Sequence, residues 1–302
     1  MKEKNFLDLP KAVMREIVEN LSTHDLLTFI RTSKTNIGLF KNDTTYLNSL
    51  LVERFLQHVV RGEYGIVQSL LALQPDLIDT QGQVTDLSKR KFPNVSGFEY
   101  ALWALDEHMW TRMLESLSED EKGSQIKARL YDLLIKYKKN GVTYTLHDET
   151  RTEQHFDFKN TIIKELQEFV KNGDNKQWIN GVGGKQKLLP IHVIEEYSSS
   201  EPFYPIPKFT HQPKSSRQFF NGETGSYEFW FADDSELGVT FAICKTWWDV
   251  NGGCYGGEGY MSQANDDLAA LESLYKIRKS GFNNLGEKLI LDNKLLLNTQ
   301  IK

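Results

Sequence analysis

Apolar residues recur along this chain mostly at helical spacing, and the pattern starts at once. Leu9, Val13, Ile17 and Leu21 fall on every fourth position, which lines them up as one ridge along a helix. Pro10 suits the first helical position, where a missing N–H costs nothing. Ser22 and Asp25 then read as a variant capping box for a second short helix with Leu26, Leu27, Phe29 and Ile30 on its apolar face. Below about 40 residues a lone core is rarely sufficient, so this pair must dock on the rest of the chain or on a partner. Leu47, Leu51, Phe55 and Val59 predict a helix to about Arg61, and Gly62 breaks it. Tyr64, Val67, Leu70 and Leu71 face inward on the next, closed by Gln74-Pro75. Helix, glycine turn, helix is an antiparallel hairpin.

Ser118 and Glu121 read as the cap of a further helix with Ile126, Leu130, Leu133, Leu134 and Tyr137 on one face and Gly141 as the stop. Another carries Ile162, Ile163, Leu166, Phe169 and Val170, and a third runs from Pro190 to Tyr197. Asn265-Asp-Asp reads as the cap of a helix with Leu268, Leu271, Leu274 and Tyr275 inward, and Asn283 or Asn284 as the opening of a last one. Between these lie stretches read as irregular: the loop Gln81–Asn94, the polar run His147–Gln154, and a turn at Gly181-Val-Gly-Gly184, which lacks the spacing of a phosphate loop. Residues 198–217 read as a loop that Phe203, Tyr204, Ile206 and Phe209 turn into a strap over a surface. Tyr227–Phe231 and Val239–Ile243 are β-prone about an Asp-Asp-Ser turn and suggest a hairpin. The fold expected is mainly α with a small β element.

Composition narrows the function classes. At 302 residues, 39% hydrophobic and 25% charged, the chain can bury a sizeable core as a water-soluble protein. A net charge of −5 gives no global reason to bind nucleic acid, and Lys136-Tyr-Lys-Lys139 is explained by a helix end. No apolar run approaches the roughly 18 residues of a membrane span, and the first residues lack the apolar core of a secretory signal. Two cysteines in so long a chain suggest a reducing compartment. No membrane, nucleic-acid, metal or cofactor partner is expected.

Leu9-Pro10, the spaced Val13, Ile17 and Leu21, then Asp25-Leu-Leu27 and Thr32-Ser-Lys34 together resemble an F-box, with Ala12 where an acidic residue is usual and Asn36 where an aromatic is common. The resemblance covers about residues 6–45. It implies docking on a Skp-type adaptor and, through it, on a cullin, with Leu9, Pro10, Val13, Ile17, Leu21, Leu26 and Leu27 as the adaptor-binding residues. Val60-Arg-Gly62-Glu-Tyr-Gly-Ile-Val67 with Leu70 and Leu71 resembles the helical half of an ankyrin repeat, and Ser96-Gly-Phe98-Glu-Tyr-Ala101-Leu-Trp-Ala-Leu105 resembles the start of another. The interval exceeds the ankyrin period of about 33 residues, which makes Gln81–Asn94 an insertion. A generic helical bundle is the alternative. Trp178, Leu189–Tyr197, Trp230-Phe231, Asp267–Leu271 and Arg278–Phe282 are similar to a C-terminal module of secreted effectors from Legionella-type intracellular bacteria. That likeness implies a protein delivered by a bacterium into the host cytoplasm.

The expected domains are therefore an F-box over 1–45, degenerate ankyrin-like repeats over 46–117 and an effector-type domain over 118–302. The function implied is recruitment of a host protein target to a ubiquitin ligase, by a subunit that makes no bond itself. Lys89, Arg90 and Lys91, in the insertion, are candidate target contacts. Two alternatives stay open. Cys254, set among Asn251-Gly-Gly and Tyr-Gly-Gly257, could serve a cysteine hydrolase with His192 or His211 as base. Otherwise the chain is an ankyrin-type scaffold with no ligase link. Cys254 reads first as a structural or surface thiol, Trp247-Trp248 as candidate binding aromatics, and His58, His108 and His192 as core histidines.

Overall fold

The computed structural model describes residues 10–32, 44–232, 234–245, 254–257 and 261–300, with side chains described throughout except at 11, 31, 32, 44, 45, 172 and 291–300. Leu9, Ser33-Lys34, Asn36, Trp247-Trp248 and Asn251–Gly253 lie outside the described residues.

Helices α1 (Lys11–Asn20) and α2 (Thr23–Thr32) come first. The expected cap of α2 forms, since the Asp25 N–H donates to Ser22 Oγ at 3.1 Å while that hydroxyl donates to the Asp25 carboxylate at 2.6 Å. Val18, Leu26, Leu27 and Ile30 bury into the same core as α3 (Thr44–Val60) and α4 (Tyr64–Leu73). Polar contacts fasten this join. Thr23 Oγ1 and His58 Nε2 lie 2.7 Å apart, and Arg54 donates to the Glu19 carbonyl at 2.7 Å. Gly62 takes a φ of +65° at the α3–α4 turn, the conformation for which glycine is the natural residue.

The expected loop at 81–94 is instead a β-hairpin, β1 (Gln81–Thr85) with β2 (Lys91–Ser96). A register shift between Gly82 and Val84 marks a bulge. Ser96 and Glu99 then form a reciprocal capping box that opens α5 (Gly97–Ala104), followed by α6 (Glu107–Glu115) and the long α7 (Glu121–Asn140). The polar run His147–Gln154, read as irregular, holds the turn and second strand of another hairpin, β3 (Val142–Leu146) with β4 (Glu149–Glu153). The two hairpins join as one antiparallel sheet of order β1-β2-β3-β4. Thr, Val and Tyr alternate here beside charged residues, so one face is buried and the other wet.

A π-helical turn (Lys159–Ile163) leads into α8 (Lys164–Asn172). Gly181-Val-Gly-Gly184 is not a turn: it continues a helical segment, Gln177–Gly183, then Gly184–Gln186. The glycines serve close packing, because a Cβ on Gly183 would sit 2.8 Å from the Phe241 carbonyl oxygen. Helix α9 (Ile191–Tyr197) starts after Pro190, as the sequence indicates. In the strap that follows, Phe203 and Phe209 are buried while Tyr204 is 74% exposed and Ile206 is exposed.

A second sheet has the order β6-β5-β8-β7, from β5 (Gln218–Asn221), β6 (Ser226–Phe229), β7 (Ala242–Lys245) and β8 (Cys254–Gly257). The strands expected near 227 and 243 are real but are not partners. β6 pairs with β5, β7 with β8, and the two hairpins meet through a parallel β5–β8 contact. Finally α10 (Met261–Gln300) is continuous where two helices were expected. Asp267, read as a cap, is fully buried and accepts from the Lys245 N–H at 3.2 Å.

Candidate functional site

On α1 the inward stripe is Met14 and Val18, one position on from the ridge read in the sequence. Val13 and Ile17 are consequently at the surface, each 38% exposed, and Pro10 is exposed beside them. Leu21 is half-buried against the core. Leu26 and Leu27 point the other way, into the chain's own core, where they support α2 rather than face a partner. The structure therefore splits the seven proposed docking residues. Pro10, Val13 and Ile17 form an exposed apolar strip, and Leu26 and Leu27 are its foundation. Val13 and Ile17, one turn apart, are the partly exposed aliphatics of this helix face.

Of the proposed target contacts, Lys89 and Lys91 are exposed and Arg90 is not. Arg90 is 1% exposed and binds Asp86 at 3.1 Å and the Leu188 carbonyl at 2.6 Å. Its guanidinium lies over Trp103, Tyr144 and Phe156, with 5.0 Å to the Trp103 ring. The turn that was expected to project is pinned to the segment before α9, with Ser88 adding a bond to the Leu189 carbonyl at 3.4 Å.

A polar seam runs where α4, α6, α9 and α10 meet. Arg278 is buried and reaches His108 Nε2 at 2.6 Å, Glu107 at 3.4 Å and Glu196 at 3.9 Å. Burial, reinforced by Arg278, lowers His108 to about 3 and keeps its ring neutral, an acceptor for the guanidinium. His192 is fully buried, lowered to about 3 by burial, and its Nε2–H donates to the Ala104 carbonyl at 2.8 Å. Burial raises Glu195 to about 7 and Glu196 to about 8, against the pull of Arg217 and Arg278 respectively. A cavity of about 800 Å³ opens over Tyr64, His108, Glu195, His211 and Arg278. Sequence reading missed Glu195, Glu196 and Arg278. In Ile-Glu-Glu-Tyr197 and Arg278-Lys they look like ordinary helix surface.

Cys254 lies on β8, buried, not on an exposed glycine loop. Its thiol is 3.6 Å from the Gln218 carbonyl and 3.9 Å from Ser198 Oγ. His192 is bonded to Ala104 and His211 to Glu201 at 2.8 Å. Among the described residues no group of His, Cys, Asp and Glu is arranged to hold a metal ion. No described helix is long and apolar enough to cross a membrane.

A family model of the F-box domain matches residues 6–43, which carry this exposed strip. A protein of Coxiella burnetii (strain RSA 493 / Nine Mile phase I), named "Uncharacterized protein CBUA0006", is 33% identical over 268 residues. That alignment covers 80% of this chain and 76% of the relative. The chain belongs to the CBUA0006 family. A model of the CBUA0006 C-terminal domain matches residues 161–289, the stretch from the end of the π-helical turn through most of α10. No solved structure matches the chain. Within the CBUA0006 family this chain thus carries an N-terminal F-box, a module that generally binds Skp-type adaptors, ahead of the shared C-terminal domain.

Proposed function

We propose that the chain is the substrate-recruiting subunit of a host Skp–cullin–F-box ubiquitin ligase, delivered into the host cytoplasm by an intracellular bacterium. The observation that carries this reading is the exposed apolar strip of α1 within a segment matched by the F-box. In this mechanism Leu9, Pro10, Val13, Ile17 and Leu21 meet the adaptor, with Leu26 and Leu27 holding the strip in place. The cullin is reached through the adaptor. The chain forms no covalent bond; it raises the concentration of a target near the charged conjugating enzyme. The body bears the target. Within residues 46–117 two helix pairs, α3–α4 and α5–α6, stand on either side of the β1–β2 hairpin, and this order supports an ankyrin-like description of that stretch ahead of an effector-type domain over 118–302.

The test is capture of purified Skp-type adaptor by the full chain and by a Val13→Asp, Ile17→Asp variant. Both side chains are at the surface, so the variant keeps its fold. Losing two buried aliphatic contacts costs on the order of 2–5 kcal/mol each at an interface, enough to remove micromolar binding. Undiminished capture by the folded variant would reject the adaptor reading.

A further inference from the structure

The two edges of the first sheet are built differently. Its outer strand β4, Glu149-Thr-Arg-Thr-Glu153, carries a charge at every second position, the ordinary guard against edge pairing. Strand β1, at the opposite edge, is Gln81-Gly-Gln-Val-Thr85 and carries no charge at all. Its register is with β2 only. In an antiparallel pair every second residue turns its N–H and C=O away from the partner, so β1 offers a row of main-chain donors and acceptors outward. Among the described residues no main-chain bond outside the β1–β2 ladder uses those of 81–85.

A groove of about 720 Å³ lies along this edge. Its other wall is the polar flank of α3, with Ser49, Glu53 and Gln57, and Arg61 just past the helix end, and Val52, Val60 and Val84 line its floor. Gly82 lets the strand approach α3 closely, since a Cβ there would come within 2.8 Å of Val52 Cγ1. A strand edge without charged residues, facing a helix across a groove, has the form of a β-augmentation site, in which a peptide's main chain supplies the bonds and its alternate side chains fill the floor. The walls present one acid and one base, so they favour an uncharged segment.

We propose that the β1 edge takes an extended, β-prone, uncharged segment of the target polypeptide as a fifth strand of this sheet. The proposal rests on the adaptor reading for the identity of its occupant as a target, and it assigns the mode of recognition to Gln81–Thr85 and α3.

The experiment uses the full chain bound to its adaptor and an uncharged synthetic peptide, acetyl-Gln-Thr-Val-Thr-Val-Thr-Gln-amide, at millimolar concentration. Its control is the same peptide N-methylated at alternate residues, which keeps the side chains and removes main-chain donors. Amide hydrogen exchange at 81–85 is expected to slow about tenfold with the first peptide and not with the second. A Gln83→Lys, Thr85→Lys variant, which copies the guard of β4 at two exposed positions, should lose that protection and still capture the adaptor. Protection elsewhere, equal protection by the methylated peptide, or none with either would overturn the proposal. So would protection of 81–85 that appears with protein concentration alone, which would make the edge a contact between two copies. Adaptor capture is read in the same samples, so a failure of the edge is distinguishable from a failure of the adaptor reading.

Discussion

Arg90 shows how much one buried cation can organise. It joins the β1–β2 turn through Asp86, the segment before α9 through the Leu188 carbonyl, and an aromatic box through Trp103, Tyr144 and Phe156. Removing one partner of a buried ion pair strands the other, at a cost of about 3–5 kcal/mol. Arg90→Ala should therefore destabilise the chain by that order, read as a lower urea midpoint, while Lys89→Ala and Lys91→Ala change it little. Nothing in Lys89-Arg-Lys91 announces this. A basic triplet between two polar stretches reads as solvated, and the aromatic residues that bury its centre are scattered over more than fifty positions. Glu196 makes a second residue-scale prediction. Burial raises its pKa from the ordinary 4.5 to about 8, above its unfolded value, so the folded state holds the extra proton. Its contribution is complete below about pH 4.5 and is lost as pH rises through about 8. Against Glu196→Gln, which cannot ionise, the native chain should lose on the order of a few kcal/mol across that window. A stability difference independent of pH would contradict the burial argument. His192, lowered to about 3, works in the opposite sense, losing its contribution as pH falls from 6.5 through 3.

At the scale of elements, legibility followed locality. Helices α3, α4, α7 and α9 were readable because apolar stripe and stop are local signals, although α7 is capped by Asp120, which accepts from the Gly123 N–H, and not by the Ser118–Glu121 pair expected. The break expected near Asn283 failed because packing against α7 and α8 carries α10 through residues that would cap a free helix. In the first sheet β1, most of β2 and β4 fell in stretches read as irregular, since Gln, Thr and Glu dominate their exposed positions, and β3 was given no reading. The second sheet was half legible: β-prone runs near 227 and 243 were found, but their partners are Gln218–Asn221, just past the strap and given no reading, and Cys254–Gly257, part of a glycine string. Both of these pairs are local hairpins, whereas the parallel β5–β8 contact that joins them is set by the whole fold. The glycines at 181–184 make the same point. Gly183 is pressed against the backbone of Gly238 and Phe241, with less than 3 Å for a Cβ. Neither neighbour is a flexible side chain that can yield. Gly183→Ala should cost about 1–3 kcal/mol by overpacking, whereas Gly184→Ala, with no atom within 4 Å of a Cβ, should be tolerated; paired thermal melts check the contrast.

At the scale of the molecule, the sequence suggests three segments while the structure has one buried network. The apolar cluster runs without interruption from Val18 in α1 to Leu289 in α10. Polar bridges cross the same boundaries: Thr23 to His58, Arg90 to Leu188, and His192 to the Ala104 carbonyl. For an adaptor this matters, because a target held on the body is brought to the ligase only as accurately as the F-box is fixed to that body. A loose hinge would spread the target over a large volume and dilute the effective concentration that the mechanism depends on. The α1–α2 pair has no such freedom here, since its inner face is part of the core of α3 and α4. Calorimetry should accordingly show one cooperative transition for the full chain, with equal calorimetric and van't Hoff enthalpies. Arg90→Ala should move that whole transition down without splitting it. An early transition assignable to the N-terminal helices would mean that they melt apart from the body, and the rigid delivery of a target would have to come from the adaptor instead.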